Sequence, residues 1–160
     1  MILTMRAQDM AGLAMRLEKG IAISTQPDIR WGRRDIKTVQ LLASCLAKTE
    51  AAAQSKDDAW LVAPDGTITE GASSNAWIIT KAGEIVTRAI SNEILAGITR
   101  HALFDALGQR GLKIVERSFT LEEAKAAAEA FSTAATALVT PAAIQLRCLV
   151  VRFWMKVNTG

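Results

Sequence analysis

Residues 35–42 of this 160-residue chain read Asp-Ile-Lys-Thr-Val-Gln-Leu-Leu, which places one lysine, Lys37, at the head of an apolar pattern. From residue 36 to about residue 54 the apolar side chains recur at helical spacing and predict an amphipathic helix. Positive charge precedes the lysine, on Arg30, Arg33 and Arg34. Nearby cations and partly apolar surroundings favour the neutral, nucleophilic form of a lysine amine. An exposed lysine in a first helical turn has the same local sequence, so both interpretations stay open.

A second segment, residues 67–75, reads Thr-Ile-Thr-Glu-Gly-Ala-Ser-Ser-Asn. Its single carboxylate, Glu70, is followed by small residues, which let a backbone approach a ligand closely. A carboxylate in such a place can hold a proton on a heterocyclic nitrogen. A polar hairpin loop has the same composition and is the alternative interpretation.

Two further segments contain the small and hydroxylated residues that suit an anion. Residues 95–100 (Leu-Ala-Gly-Ile-Thr-Arg) predict a glycine turn that opens a helix, whose free N–H groups and dipole favour a phosphate. Residues 132–137 (Ser-Thr-Ala-Ala-Thr-Ala) predict a strand against which a phosphate or carboxylate can lie. An ordinary helix start and a tightly packed core strand are the alternatives.

The rest of the chain mixes helices and strands without regular alternation, which predicts an α/β domain of α+β character. Helices are predicted over residues 5–18, ended by Gly20, and over 36–54, 97–109 and from Thr120, with Glu123 at the capping-box position. Strands are predicted over residues 21–25, 60–63, 76–80, 84–87, 112–117 and 131–139. The strands at 60–63, 76–80 and 84–87 are expected to form one antiparallel meander. Pro141 is expected to end the last strand.

The composition argues against several classes of function. The net charge is +3 and the basic residues are scattered, so no nucleic-acid partner is predicted. The apolar run at residues 148–155 is interrupted by Arg152 and is too short to cross a membrane. The two cysteines, Cys45 and Cys148, lack metal-ligand spacing, so no metal site is predicted. Cys45 is expected to be a buried, reduced thiol on the apolar side of its helix, which favours a cytoplasmic location.

The order and spacing of these segments resemble those of the class-IV (fold type IV) pyridoxal-phosphate aminotransferases. Residues 35–42 and 46–51 resemble the family's lysine segment, in the Asp-Ile-Lys form of the D-amino-acid aminotransferases. Residues 69–75 resemble its glutamate motif, residues 95–100 its phosphate-binding turn, and residues 133–141 its second phosphate strand. The resemblance covers roughly residues 20–141. It implies the pyridoxal-phosphate-binding domain of that fold, a mixed sheet or pseudo-barrel with flanking helices.

The resemblance also implies a role for each matching residue. Lys37 would be the catalytic lysine, which forms a Schiff base with pyridoxal 5'-phosphate and then moves a proton. Glu70 would pair with the pyridine nitrogen, and Leu95 would pack on the face of the ring. Ile98 and Thr99 would bind the phosphate.

Two further residues are expected near the cofactor. Arg30 matches an arginine just before the family's lysine segment and would support the lysine or its surroundings. Where many relatives have a phosphate-binding threonine, this chain has Ala134-Ala135. The phosphate contact is therefore expected to move to Thr136 or to weaken.

Both ends of the chain depart from the family pattern. Residues 1–19 are predicted to be a helical remnant or linker, where the family has a smaller domain that supplies most substrate contacts. Residues 20–141 are predicted to be the cofactor-binding domain. Residues 142–160 are predicted to be an atypical, strand-like tail, for which a shifted reading frame is the hypothesis. Uncovered surface predicts a homodimer or other homo-oligomer.

Three functional hypotheses follow from the resemblance. The first is transamination between an amino acid and a 2-oxo acid, of the D-amino-acid or branched-chain type. The second is a lyase of the same fold, such as aminodeoxychorismate lyase, which uses the same lysine and eliminates pyruvate. The third is a truncated, non-catalytic domain that binds a phosphorylated ligand or a partner chain. The Asp-Ile-Lys segment favours transamination.

Overall fold

A computed structural model describes residues 7–144, which contain four helices and eight strands. The helices are α1 (Met10–Lys19), α2 (Leu42–Ala53), α3 (Ile98–Gly108) and α4 (Leu121–Ala126). The strands are β1 (Ile21–Pro27), β2 (Asp58–Val62), β3 (Ile68–Gly71), β4 (Asn75–Ile79), β5 (Ile85–Thr87), β6 (Ile114–Glu116), β7 (Glu129–Ala134) and β8 (Leu138–Ile144). The predicted fold class, a mixed sheet with flanking helices, is confirmed.

The eight strands form one sheet in the order β3-β2-β1-β8-β7-β4-β5-β6. β1 runs parallel to β2 and β8, and β5 runs parallel to β6, whereas the other neighbours are antiparallel. The two edges of the sheet meet, because the N–H of Ile68 on β3 donates to the carbonyl of Phe119, just beyond β6, at 2.8 Å. Thr67 and Thr120 form a bridge at the same place. The sheet therefore curls into a partly closed barrel.

Two buried tryptophans each form a hydrogen bond to a residue of β7. Trp60 on β2 is fully buried, and its indole N–H donates to the Ser132 hydroxyl at 3.0 Å. Trp77 on β4 is also fully buried and donates to the Thr133 hydroxyl at 2.9 Å. A buried indole needs an acceptor, and adjacent residues of β7 supply one to each tryptophan.

Helix α2 covers the sheet with alanines and not with its larger side chains. Ala47 and Ala51 are buried in a cluster with residues of β2, whereas Leu42 is 74% exposed. The prediction that this helix begins near residue 36 was wrong: it begins at Leu42, and residues 31–41 are irregular. Cys45 is exposed, so the prediction of a buried thiol was also wrong. Small alanines let the helix lie close to the sheet, which leaves its larger apolar side chains outside.

Two predictions about the strands were wrong. Strand β2 pairs with β3 and not with β4, so only the β4–β5 part of the expected meander exists. The segment 131–139 is two strands, because residues 135–137 form a turn between β7 and β8. Pro141 does not end β8 but lies within it, in register with Phe131. A proline removes a single N–H donor, and the pairing of β8 continues on both sides of it.

Two other helix ends were predicted accurately, although the helix predicted over residues 5–18 begins only at Met10, after the irregular residues 7–9. Thr120 caps α4 by accepting from the N–H of Glu123 at 3.2 Å, although the Glu123 side chain pairs with Arg117 and does not complete a capping box. Gly20 ends α1 with a φ of 76°. A Cβ on Gly20 would lie 3.2 Å from the Cβ of Pro141, so both conformation and packing favour glycine there.

Several predictions lie outside the described residues: the first residues of the 5–18 helix, Cys148, and most of the 142–160 tail. Within residues 7–144, no helix is both long and apolar enough to span a membrane. The same residues contain no group of three or more His, Cys, Asp or Glu side chains placed to hold a metal ion.

Candidate active site

The candidate active site is centred on Glu70, which lies on strand β3 and not in a loop. The residue is 4% exposed and its carboxylate accepts three hydrogen bonds. Arg30 Nη1 lies 2.5 Å from Oε1, while Asn75 Nδ2 and the N–H of Leu95 lie 3.0 and 3.1 Å from Oε2. Burial raises the pKa of Glu70 above 4.5, although the charge of Arg30 and the hydrogen bonds oppose that rise. The carboxylate therefore joins three separate parts of the chain.

Arg30 bridges two acidic side chains. Its guanidinium contacts Asp28 through Nε and Nη2, at 2.9 and 2.7 Å, in addition to Glu70. The Thr69 hydroxyl donates to Asp28 Oδ2 at 2.7 Å, and Arg34 Nε lies 3.4 Å from the same oxygen. Burial alone would raise the pKa of Asp28, but the hydrogen bonds from Arg30 and Thr69 outweigh it and hold that pKa below 3.8. The network balances two arginines against two carboxylates, as buried charges require.

Asn75, the first residue of β4, links Glu70 to the turn before α3. Its Nδ2 also donates to the carbonyl of Leu95 at 2.8 Å. Gly97 lies against the same side chain, since a Cβ on Gly97 would be 2.5 Å from Asn75 Oδ1. The glycine of the predicted phosphate turn is therefore needed for the close approach of this amide.

Helix α3 begins at Ile98, directly after Gly97, as predicted. No described side chain caps its first turn, and the first N–H groups of a helix have no acceptor within it. Ile98 is 71% exposed, and Thr99 is partly exposed. The free N–H groups and the helix dipole make this end of α3 favourable for an anion.

Lys37 lies in the irregular segment between β1 and α2, and its side chain is exposed. No hydrogen bond or ion pair joins its amino group to another residue of the range 7–144. The segment is attached to the site through its backbone, because the N–H of Arg34 donates to the carbonyl of Asn92 at 2.9 Å. Asn92 belongs to the loop that leads to Leu95, so the lysine segment and the predicted phosphate turn are neighbours.

The predicted second phosphate strand divides into two environments. Ser132 and Thr133 are buried, and their hydroxyls accept hydrogen bonds from the two tryptophan indoles. This part of the segment is therefore the packed core strand that was the alternative to a phosphate site. Thr136 is exposed in the turn between β7 and β8, and its carbonyl accepts from Gln8 Nε2 at 2.7 Å. Among the described residues, no hydrogen bond joins Thr136 to the carboxylate cluster.

The structure thus brings some of the predicted site residues together and leaves others apart. Arg30 and Leu95 each form a hydrogen bond with Glu70, and Ile98 and Thr99 are the first two residues of α3. Within residues 7–144, Lys37 and Thr136 make no hydrogen bond to that group.

The sequence reasoning missed three members of the network, Asp28, Thr69 and Asn75. Thr69 and Asn75 flank Glu70 inside the quoted segment 67–75. Polar side chains on a buried strand need partners, and that rule would have marked these two as candidates. Asp28 carried no such signal, because Pro27-Asp28 reads as an ordinary turn.

Comparison with known proteins agrees with this geometry. The family model described as amino-transferase class IV matches residues 1–144. The D-alanine aminotransferase of Listeria monocytogenes is 36% identical over 140 residues, which are 88% of this chain and 48% of that protein. The D-alanine aminotransferase of Staphylococcus haemolyticus is 41% identical over 125 residues, which are 78% of this chain and 44% of that protein.

Solved structures share the fold. A fold IV transaminase from Curtobacterium pusillum superposes with a TM-score of 0.81 at 23% identity, covering 91% of this chain and 53% of that one. The branched-chain amino acid aminotransferase of Thermobaculum terrenum, in its PLP form, gives a TM-score of 0.70 at 28% identity, covering 79% and 43% of the two chains.

The fold is that of the fold-type-IV transaminases. The chain belongs to the class IV aminotransferase family, which confirms the resemblance drawn from its motifs. Membership implies pyridoxal phosphate as the cofactor. The chain spans about half the length of the curated relatives it matches.

Proposed function

We propose that this chain is the lysine-bearing part of a pyridoxal-phosphate-dependent aminotransferase that exchanges an amino group between an amino acid and a 2-oxo acid. The observation that carries the proposal is the hydrogen-bonded link from Glu70 through Leu95 and Asn75 to the open end of α3. It joins an acceptor for a pyridine N–H to an anion-binding helix end. The D-alanine aminotransferases among the relatives favour a D-amino acid substrate, and the branched-chain neighbours supply the alternative.

The residues present fit the cofactor. A carboxylate has more lone pairs than its three present donors use, so Glu70 can accept one more hydrogen bond, from a protonated ring nitrogen. Leu95 offers an apolar side chain for the ring, and Ile98 and Thr99 offer N–H groups for the phosphate. Thr136 is a further proposed phosphate contact, from the exposed turn after β7.

Pyridoxal phosphate, when bound, supplies an electron sink for negative charge at the substrate Cα. Lys37 would hold and move the proton, because no other described group occupies its amine. Glu70 would keep the ring nitrogen protonated, and Arg30 and Asp28 would fix the carboxylate in place.

Self-association and a cytoplasmic location complete the proposal. Large apolar side chains are exposed around Lys37, which supports a homodimer or other homo-oligomer that covers them. They are Ile36, Val39, Leu41, Leu42 and Leu46. The division into residues 1–19, 20–141 and 142–160 stays a prediction.

Covalent labelling tests the proposal. The chain is incubated with pyridoxal phosphate, reduced with borohydride and digested, and mass spectrometry locates the phosphopyridoxyl group. We expect a single labelled position, Lys37, and no such label in Lys37→Ala. Lys48→Ala is the matched control, because Lys48 follows on α2 and is held by the Ser73 hydroxyl at 2.7 Å. Equal labelling of many lysines, unchanged in Lys37→Ala, would contradict the proposal.

Two assays then separate the hypotheses. Amino-group transfer from D-alanine to 2-oxoglutarate indicates the aminotransferase. Pyruvate release from aminodeoxychorismate without an amino acceptor indicates the lyase. Labelling at Lys37 without either reaction indicates a cofactor-binding domain that is not catalytic by itself.

A further inference from the structure

We propose that Asn75 is a positioning residue that holds the Glu70 carboxylate and the anion-binding end of α3 as one unit, so that the ring and the phosphate of a ligand are recognised together. The inference rests on the proposed function for the identity of the ligand. The coupling itself is a property of the chain without ligand, and it is tested separately.

The first support is a closed set of hydrogen bonds among three residues. Asn75 Nδ2 donates to Glu70 Oε2 at 3.0 Å and to the Leu95 carbonyl at 2.8 Å. The N–H of Leu95 donates back to the same Glu70 oxygen at 3.1 Å. An amide nitrogen has two hydrogens, and here each reaches an acceptor on a different part of the chain. The carboxylate and the turn therefore cannot shift relative to each other without breaking a bond to Asn75.

The second support is the fit on the other side of the amide. A Cβ on Gly97 would lie 2.5 Å from Asn75 Oδ1, which is too close for two non-bonded atoms. Gly97 directly precedes the first residue of α3. The helix end is thus packed against the amide oxygen, while the amide nitrogen bonds the carboxylate.

The third support is the rigid base on which the amide stands. Asn75 is 5% exposed, and its backbone lies in the register of β4 with β7, opposite Thr133. The neighbouring strand positions carry the buried Trp77 and its acceptor Thr133. A side chain mounted on this part of the sheet has little freedom, so it can set the position of both groups that it contacts.

The chemistry of the amide is specific to asparagine. An aspartate at position 75 would have almost the same shape but no hydrogen to donate when ionised. It would face a second carboxylate, Glu70, and the carbonyl of Leu95. Arg30 and Asp28 are the other charged groups close to Glu70, and neither would supply the missing donor to the turn.

A double-mutant cycle on the ligand-free chain tests the packing. Gly97→Ala should lower the urea midpoint in the chain with Asn75, because the new methyl group displaces the amide. In the Asn75→Ala background the same substitution should lower the midpoint by less than half as much, because the amide oxygen is gone. Additive losses would overturn the proposal, whether or not the chain binds any ligand.

Ligand affinities test the coupling. Dissociation constants are measured for pyridoxal phosphate and for pyridoxal. The constant for pyridoxal divided by that for pyridoxal phosphate reports what the phosphate contributes to affinity. We expect Asn75→Asp to weaken the binding of pyridoxal phosphate about 10-fold and to lower this ratio, because the helix end loses its hydrogen-bonded link at the same time as the carboxylate does. Gln109→Glu makes the same amide-to-carboxylate change at an exposed residue at the opposite end of α3 and should leave both constants unchanged.

The outcomes separate the two proposals. If Asn75→Asp weakens the binding of both ligands by the same factor, Asn75 affects only the recognition of the ring, and the proposed coupling of ring and phosphate recognition is refuted. If it changes neither constant, the inference fails while the proposed function stands. If the unmodified chain takes up no pyridoxal phosphate, the proposed function fails, and the double-mutant cycle still decides the role of Asn75.

Discussion

Glu70 and Lys37 are expected to act on the same cofactor, yet their surroundings contrast. Glu70 lies on a strand, is 4% exposed and accepts hydrogen bonds from Arg30, Asn75 and Leu95. Lys37 lies in an irregular segment, is exposed and has no hydrogen-bond partner within residues 7–144. The carboxylate side of the site is completed by contacts within the described chain, whereas the lysine side is not.

The contrast shows that the fold stabilises the two side chains in different ways. A buried carboxylate is stable only with partners, so the sheet supplies them before any ligand arrives. On the proposed function Lys37 is a reacting amine, which is better left without strong partners, and its segment is tied to the rest of the chain by the backbone hydrogen bond from Arg34 to Asn92. The exposed apolar side chains near Lys37 leave room for another surface to complete that side.

The largest expected effect comes from breaking the carboxylate side. Glu70→Ala leaves the Arg30 guanidinium with Asp28 alone and should lower the free energy of unfolding by about 3 kcal/mol. Lys37→Ala should leave it unchanged, because the side chain is exposed and unpaired among the described residues. Urea unfolding of the two variants measures the difference. Equal losses would mean that the lysine segment is as firmly packed as the strand.

A matched pair of threonines gives a smaller effect. Thr69→Val removes the hydroxyl that donates to the buried carboxylate of Asp28 and should cost about 1–2 kcal/mol. Thr38→Val in the lysine segment removes only an acceptor for the N–H of Gln40 and should cost less than about 0.5 kcal/mol. The midpoints of urea unfolding compare the two. A larger loss of stability for Thr38→Val than for Thr69→Val would show that the lysine segment is more firmly held than the carboxylate network.

The pH dependence of stability sharpens the electrostatic part of the contrast. Burial raises the pKa of Glu70 above 4.5, so the folded chain binds this proton more tightly than the unfolded chain does. The contribution of Glu70 is therefore complete below pH 4.5 and is lost as the pH rises through the folded pKa. Asp28, with its lowered pKa, acts oppositely, and its contribution is lost as the pH falls below 3.8.

Glu70→Gln should remove the loss of stability that Glu70 causes as the pH rises. The difference in urea midpoint between the unmodified chain and Glu70→Gln is measured at pH values from 4.5 upward. We expect the unmodified chain to lose stability relative to the variant across this range. A difference that does not change with pH, or that changes in the opposite direction, would show that the pKa of Glu70 is not raised.

The smallest effect on folding is expected at the surface around Lys37. Leu42→Lys replaces a side chain that is 74% exposed and should not change the free energy of unfolding. It should reduce self-association in sedimentation experiments, because it places charge on an exposed apolar surface. Leu112→Lys, at a residue 37% exposed between α3 and β6, is the control and should not change association. A Leu42→Lys chain that associates as strongly as the unmodified one would argue against this surface.

Features that depend on neighbouring residues were predictable from sequence. The Thr120 cap, the Gly20 helix end and the start of α3 after Gly97 follow from local backbone chemistry, and each is present. Features that depend on distant pairing were not. The sequence predicted that α2 is amphipathic but not which of its apolar side chains are buried: Ala47 and Ala51 pack on the sheet and Leu42 is exposed, because a helix lies closest where its side chains are smallest.

The sequence by itself determined the order of Lys37, Glu70 and the Leu95–Gly97 turn, and with that order the family. Tertiary structure decided what each of these residues contacts. Arg30 meets Glu70 across 40 positions of sequence, and Leu95 meets it across 25. Such contacts depend on the register of β3 and β4 and on the curl of the sheet, which no local pattern encodes. For the same reason the central place of Asn75 in the hydrogen-bonded cluster is visible only in the folded chain.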